Sequence, residues 1–93
     1  MARADDTYPG AKEQEEELIA AIQQRTAVNI DLVKTAIEMI KWYHSVEKRA
    51  SGEPFYLHPL AVARIVLDYN QDEATLLGAL LHDTVEEIGR AHV

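Results

Sequence analysis

The stretch Leu76-Leu77-Gly78-Ala79-Leu80-Leu81-His82-Asp83-Thr84-Val85-Glu86-Glu87 decides the fold that we predict for this chain. Its apolar residues recur at helical spacing, which predicts an amphipathic helix beginning at Glu73, and Gly78 within it predicts close approach of another helix. His82 and Asp83 lie side by side in this apolar run. Burying such a pair is costly unless hydrogen bonds or a metal ion satisfy it. Two interpretations are therefore open, a metal site at the seam with another helix and a merely solvated or hydrogen-bonded pair.

Length and composition limit the classes of protein open to this chain. Its 93 residues, 47% of them hydrophobic, suffice for one small domain. No apolar run approaches the roughly 18–20 residues that span a bilayer. The absence of cysteine excludes disulfides and thiolate metal sites, and the net charge of −7 argues against a nucleic-acid partner. Because the first residues lack the apolar core of a signal peptide, we expect a cytoplasmic protein.

Hydrophobic periodicity predicts an all-α protein of about four helices. Asn29 and Asp72 are suitable N-caps, and Pro59 suits the first position of a helix. The predicted helices cover residues 11–24 and 30–46 and begin near residues 59 and 73.

The same pattern predicts how the chain is divided. We expect residues 1–25 to form a polar segment and a short amphipathic helix, residues 26–88 to form the folded domain, and residues 89–93 to form a tail. For the short helix two placements are open, loose docking on the domain and packing against a second copy of the chain.

The segment 47–58 breaks the helical period, and Ser51-Gly52-Glu53-Pro54 within it is a turn signal. Lys48-Arg49 is basic and Phe55-Tyr56 is aromatic, a composition suited to a nucleotide pocket because arginine can stack on a base or bind phosphate. The alternative is a capped loop whose aromatic side chains plug the core.

Candidate metal ligands lie on two consecutive predicted helices. His58 and His82 are 24 residues apart, and Asp83 adds a carboxylate. Imidazole and carboxylate together suit Zn, Mn or Fe ions, but these residues supply only three ligands and a fourth is not evident. Glu86 and Glu87, one turn beyond the pair, are candidates to orient a metal-bound water or to act as general base.

The sequence from Arg49 to Ala63, Arg-Ala-Ser-Gly-Glu-Pro-Phe-Tyr-Leu-His-Pro-Leu-Ala-Val-Ala, followed by Ala79–Glu87, closely resembles the hydrolase domain of RelA/SpoT-type enzymes. These are HD-superfamily proteins that make and degrade the stringent-response alarmones (p)ppGpp. The resemblance runs from about Ile30 to Glu87. It implies an all-helical HD domain that removes the 3′-pyrophosphate of (p)ppGpp with the help of Mn²⁺, giving GDP or GTP and pyrophosphate.

The resemblance also implies roles for individual residues. His58, His82 and Asp83 match the family's metal ligands. Arg49 matches a residue that packs against the guanine base, and Ser51 belongs to the same nucleotide-binding loop.

Further correspondences and departures concern the catalytic residues. Glu86 and Glu87 match a pair of acids near the attacking water, although the family usually has Asp at the second position, and Glu47 replaces a usual Gln. His44 matches a family histidine that is not a metal ligand, in agreement with its place on the apolar face of the second helix. The family's last metal-ligating Asp lies beyond the residues present here. We therefore expect a partial HD domain that is weakly active or inactive as a hydrolase.

Two other functions are compatible with the sequence. A non-catalytic helical module would associate into homo-oligomers through exposed apolar faces, which we expect at Leu76, Leu80 and Val62. Another HD phosphohydrolase would fit the metal ligands but not the loop from Arg49 to Pro59.

Overall fold

The computed structural model describes residues 7–44 and 50–91, with side chains as far as residue 86. The described residues form four helices, which are α1 (Ala11–Arg25), α2 (Ile30–Tyr43), α3 (Leu57–Leu67) and α4 (Glu73–Ala91). α1 and α4 each pack against both α2 and α3. The predicted all-α fold is therefore confirmed.

Two helices begin where side-chain caps fix them. The Asn29 side chain accepts a hydrogen bond from the Asp31 N–H at 3.0 Å, and the Asp72 carboxylate accepts one from the Thr75 N–H at 3.2 Å. These bonds satisfy N–H groups that have no partner within the helix. Both predicted N-caps are confirmed.

α3 begins two residues before the predicted start at Pro59. The N–H groups of Leu57 and His58 donate to the carbonyls of Pro54 and Phe55 at 3.3 and 3.0 Å, so a turn leads directly into the helix. Pro59 is tolerated in this first turn because the N–H that it lacks would have no helical partner. His58 consequently lies inside the helix rather than before it.

The end of one helix also differs from the prediction. α2 runs to Tyr43, with His44 as its C-cap, and residues 45 and 46 of the predicted helix lie outside the described residues. α4 continues to Ala91 and so includes residues 89–91, which the sequence predicted as a tail. The glycine at position 89 costs a helix only about 1 kcal/mol relative to alanine, and the residues after it are good helix formers.

One core joins all four helices. Its buried apolar side chains come from α1 (Leu18, Ile22), α2 (Val33, Ile37, Ile40), α3 (Leu60, Leu67) and α4 (Leu76, Leu80), with Tyr56 from the preceding loop. None of the helices in the described part of the chain is long and apolar enough to cross a membrane.

α1 is docked on the domain by polar contacts as well as by its apolar stripe. The buried Lys41 ammonium of α2 forms an ion pair with Glu15 of α1 and lies 5.4 Å from the centre of the Tyr56 ring. The Gln14 side-chain amide donates to the Leu57 carbonyl at 3.1 Å. Of the two placements left open for this helix, the structure has the one on the same chain, so the fold includes residues before position 26.

A charged cluster joins the exposed edges of α1 and α3. Asp68 accepts hydrogen bonds from Arg25 at 2.6 Å and from Arg64 at 3.1 Å, and Arg64 also contacts Glu17. The hydrogen bonds from Arg25 and then from Arg64 hold the pKa of the Asp68 carboxyl below its ordinary value. The ionised carboxylate is therefore favoured in the folded state.

This cluster predicts that part of the stability of the protein is lost at acid pH. Because the pKa of Asp68 is lower folded than unfolded, its contribution is present above the unfolded value of about 4 and is lost as the pH falls through the folded pKa. We expect Asp68→Asn to lower the melting temperature by a constant amount above about pH 5, and the difference from wild type to shrink below pH 4. Thermal unfolding followed by circular dichroism at several pH values measures this. A difference independent of pH would contradict it.

Candidate metal and nucleotide site

The His82 ring is held in one orientation by its own helix. Its Nδ1 lies 3.0 Å from the Ala79 carbonyl oxygen, and because a carbonyl can only accept, Nδ1 must carry the proton. In the neutral ring Nε2 then has a free lone pair, as metal-binding histidines require. Nε2 lies 3.1 Å from Asp83 Oδ1, with side chains that are 45% and 24% exposed.

This geometry suits a shared cation. A neutral Nε2 and a carboxylate oxygen both present lone pairs, so their close approach is repulsive unless a proton or a metal ion lies between them. Metal bonds to these atoms are about 2.0–2.2 Å long, which places two ligand atoms roughly 3 Å apart when the bonds are perpendicular. The observed separation agrees with adjacent positions around one ion. The alternative is a protonated imidazole that donates to Asp83 in a simple ion pair.

His58, the third predicted ligand, is half-buried in the first turn of α3, with its ring 6.0 Å from the Phe55 ring. Among the described residues no three His, Asp or Glu side chains are grouped closely enough to hold a metal ion. The structure thus brings His82 and Asp83 together but does not close the trio around one point. The role of His58 as a ligand stays a prediction.

The predicted nucleotide-binding and catalytic residues are only partly within the described chain. Arg49 and the side chain of Glu87 lie outside it. Ser51 is exposed in the turn before α3, where Gly52 has a positive φ of 88°. Glu86 is exposed on α4. The assigned roles of these residues stay predictions.

The aromatic residues of the loop have separate positions. Tyr56 is fully buried in the core, so the core-plug interpretation holds for it. The Phe55 ring is near two histidine rings, with its centroid 4.8 Å from that of His44 and 6.0 Å from that of His58. His44 itself is fully buried, as expected for a core residue.

Sequence reasoning missed the partner of His44. Thr84 is buried on α4, and its Oγ1 lies 3.1 Å from His44 Nε2. The available signal was spacing, because Thr84 follows Leu76 and Leu80 at four-residue intervals and is thus a polar residue on the buried face.

The exposed apolar face of α4 is not the predicted one. Leu76 and Leu80 are fully buried, and Val62 is half-buried. The exposed face instead forms a shallow depression of about 440 Å³ next to the His82–Asp83 pair, lined by Leu77, Gly78, Leu81, His82, Val85 and Glu86. The prediction failed because both sets of leucines have helical spacing, and only the packing partners distinguish the two faces.

Gly78 has no close neighbour in the described structure, contrary to the predicted approach of another helix. A Cβ atom built at this glycine would meet no atom within 4 Å. Glycine inside a helix has an entropic cost relative to alanine, and at this position no close packing requires it.

Gly78→Ala is therefore expected to raise the free energy of unfolding by about 0.5–1 kcal/mol, the helix propensity difference. Gly52→Ala is the matched control, because its φ of 88° disfavours any side chain and the same substitution should destabilise the protein. Chemical denaturation measures both variants. A loss of stability in Gly78→Ala would show that another surface approaches this helix closely.

The comparisons with known proteins show the family of this chain. The model of the HD domain family matches residues 36–92, and the chain belongs to that family. Within it, the chain is of the RelA/SpoT type. It is 44% identical to the GTP pyrophosphokinase rsh of Brucella ovis and 39% identical to a probable guanosine-3′,5′-bis(diphosphate) 3′-pyrophosphohydrolase of Mycoplasma genitalium, each over 76% of this chain and 10% of that protein.

A further relative is the bifunctional (p)ppGpp synthase/hydrolase RelA of Mycobacterium tuberculosis, which is 43% identical over 66% of this chain and 8% of that protein. The chain thus spans about a tenth of the length of these relatives. No solved structure is a significant match.

Proposed function

We propose that this chain carries part of the active site of a metal-dependent (p)ppGpp 3′-pyrophosphohydrolase. The observation that carries the proposal is the 3.1 Å separation of His82 Nε2 and Asp83 Oδ1, with Nδ1 anchored on the Ala79 carbonyl. Relatives named for (p)ppGpp hydrolysis support the choice of substrate. The reaction would convert (p)ppGpp and water to GDP or GTP and pyrophosphate.

In this mechanism His82 and Asp83, joined by His58, would hold a divalent cation such as Mn²⁺. When bound, such an ion polarises a phosphate oxygen and lowers the pKa of a coordinated water. Glu86, which is exposed on α4 one turn beyond His82, would accept a proton from the attacking water. Its exposure leaves it accessible to substrate.

The nucleotide would lie against the loop before α3. Arg49 is proposed to pack on the guanine base, since a guanidinium stacks on aromatic faces, and the Ser51 hydroxyl is exposed and able to donate to a phosphate. Glu87 stands where the family usually has Asp, and a displacement of about 1 Å can cost a hundredfold in rate. With few ligands and this change, we propose low metal affinity and weak or absent turnover.

Asp83→Asn tests the proposal. It removes one ligand charge while keeping the size of the side chain, so we expect Mn²⁺ affinity to fall at least about tenfold. Titration followed by electron paramagnetic resonance of free Mn²⁺ measures this, and release of pyrophosphate from ppGpp with Mn²⁺ should be lost in the same variant. Asp31→Asn, an equal change of charge on the exposed surface of α2, is the control. Equal Mn²⁺ binding by both variants would contradict the site.

The second candidate is association of this chain with itself. α2 exposes four large apolar side chains, Leu32, Met39, Trp42 and Tyr43, next to its buried face. An apolar arc this wide is typical of a helix that is covered on more than one side, and contiguous exposed patches of this kind drive association. We propose that copies of the chain pair through this surface of α2.

Trp42 gives this proposal a direct readout because it is the only tryptophan in the sequence and is 48% exposed. We expect its fluorescence to shift to the blue as protein concentration rises, together with a dimer in sedimentation velocity. Added salt should strengthen association by screening the net charge of −7. Met39→Glu should abolish the dimer, whereas Tyr69→Glu, an exposed aromatic away from α2, should not. A monomer at all concentrations and salt levels would contradict it.

A further inference from the structure

His44 is a buried polar residue that contacts two separate parts of the fold. It caps α2, and its side chain is fully buried. Its Nε2 lies 3.1 Å from the Thr84 hydroxyl of α4, and its ring is 4.8 Å from the Phe55 ring of the loop before α3. The hydrogen bond satisfies both buried polar groups, which would otherwise carry a desolvation penalty.

Each of these contacts is next to a predicted metal ligand. Thr84 directly follows Asp83 on α4. Phe55 lies three residues before His58, and the two rings are 6.0 Å apart. One imidazole therefore touches both of the segments that carry the ligands, although these are 24 residues apart in sequence.

The two contacts constrain the segments differently. Successive residues on a helix project about 100° apart, so fixing the direction of Thr84 also fixes the direction in which Asp83 leaves α4. A hydrogen bond weakens steeply when its length or angle changes, whereas leucine contacts tolerate small slides. The Phe55 contact holds the loop against the same ring. His44 thus contacts both of the segments that carry the predicted metal ligands.

We propose that His44 is a positioning residue for the metal site, acting through Thr84 on the His82–Asp83 pair and through Phe55 on His58. This inference rests on the proposed function. It predicts that losing the His44–Thr84 bond weakens metal binding by more than the accompanying loss of stability explains.

Thr84→Val tests the bond with almost no change in shape. We expect Mn²⁺ affinity to fall about tenfold, the lower range for loss of a residue that orients metal ligands. Thr84→Ser keeps the hydroxyl and should bind Mn²⁺ as the wild type does. Ile22→Ala, a core truncation in α1, should lower the melting temperature without changing Mn²⁺ affinity at a temperature where every variant is folded.

A double variant separates positioning from stability. In His44→Phe combined with Thr84→Val, two apolar groups replace the bonded pair, which can be nearly neutral for stability. We expect the melting temperature to recover relative to the single variants while Mn²⁺ binding stays weak. Recovery of both together would overturn the inference, as would wild-type affinity in Thr84→Val.

A measurement on the metal-free protein provides an independent test. Imidazole nitrogen and proton shifts of His58 and His82, measured by NMR in chelator, should move in Thr84→Val and stay unchanged in Thr84→Ser. Unchanged shifts in both variants would overturn the inference. If the wild type binds no Mn²⁺ but these shifts move as expected, the proposed function fails while His44 is retained as the residue that positions the two segments.

Discussion

The site depends on the pairing of two neighbouring side chains on one helix. Residues next to each other on a helix project about 100° apart, so they meet only when one of them bends back along the axis. His82 does so by donating from Nδ1 to the Ala79 carbonyl, and this places Nε2 beside the Asp83 carboxylate. Two lone pairs then face each other, and the structure is satisfied only by a proton or a cation between them. Local helix geometry thus brings together two groups that share either a proton or a metal ion.

The two faces of α4 have different surroundings. Its buried face, with Leu80 and Thr84, packs in the core and carries the hydrogen bond to His44. Its more exposed face, which includes Val85, lines an apolar depression beside His82. An ion next to such a surface would be partly shielded from water, and electrostatic interactions strengthen as the effective dielectric falls. Among the described residues this face is exposed to solvent. A protein segment that covered it would therefore have the largest effect on the proposed binding of a metal ion.

Local signals allowed much of the fold to be predicted. Asn29 and Asp72 mark helix starts because a side-chain cap involves only residues that are close together in sequence. Helical spacing could not tell which leucines of α4 are buried, since that choice depends on the helices packed against it. The His82–Asp83 pair was predictable because the two residues are neighbours. The position of His58 relative to it and the contact of Thr84 with His44 were not, because they depend on packing between elements distant in sequence.

The charge of the chain affects whether the His82–Asp83 pair binds a proton or a metal ion. Residues 68–93 contain six acidic residues and a single basic one, Arg90, so the segment that carries His82 and Asp83 is strongly negative. Such a field attracts protons and metal ions alike, but they act differently on this pair. A proton on Nε2 leaves a neutral ion pair, whereas a divalent cation still has charge and open positions for a phosphate. Only the second arrangement would give an anionic nucleotide a reason to bind beside so many carboxylates, so the proposed function makes nucleotide binding depend on metal binding.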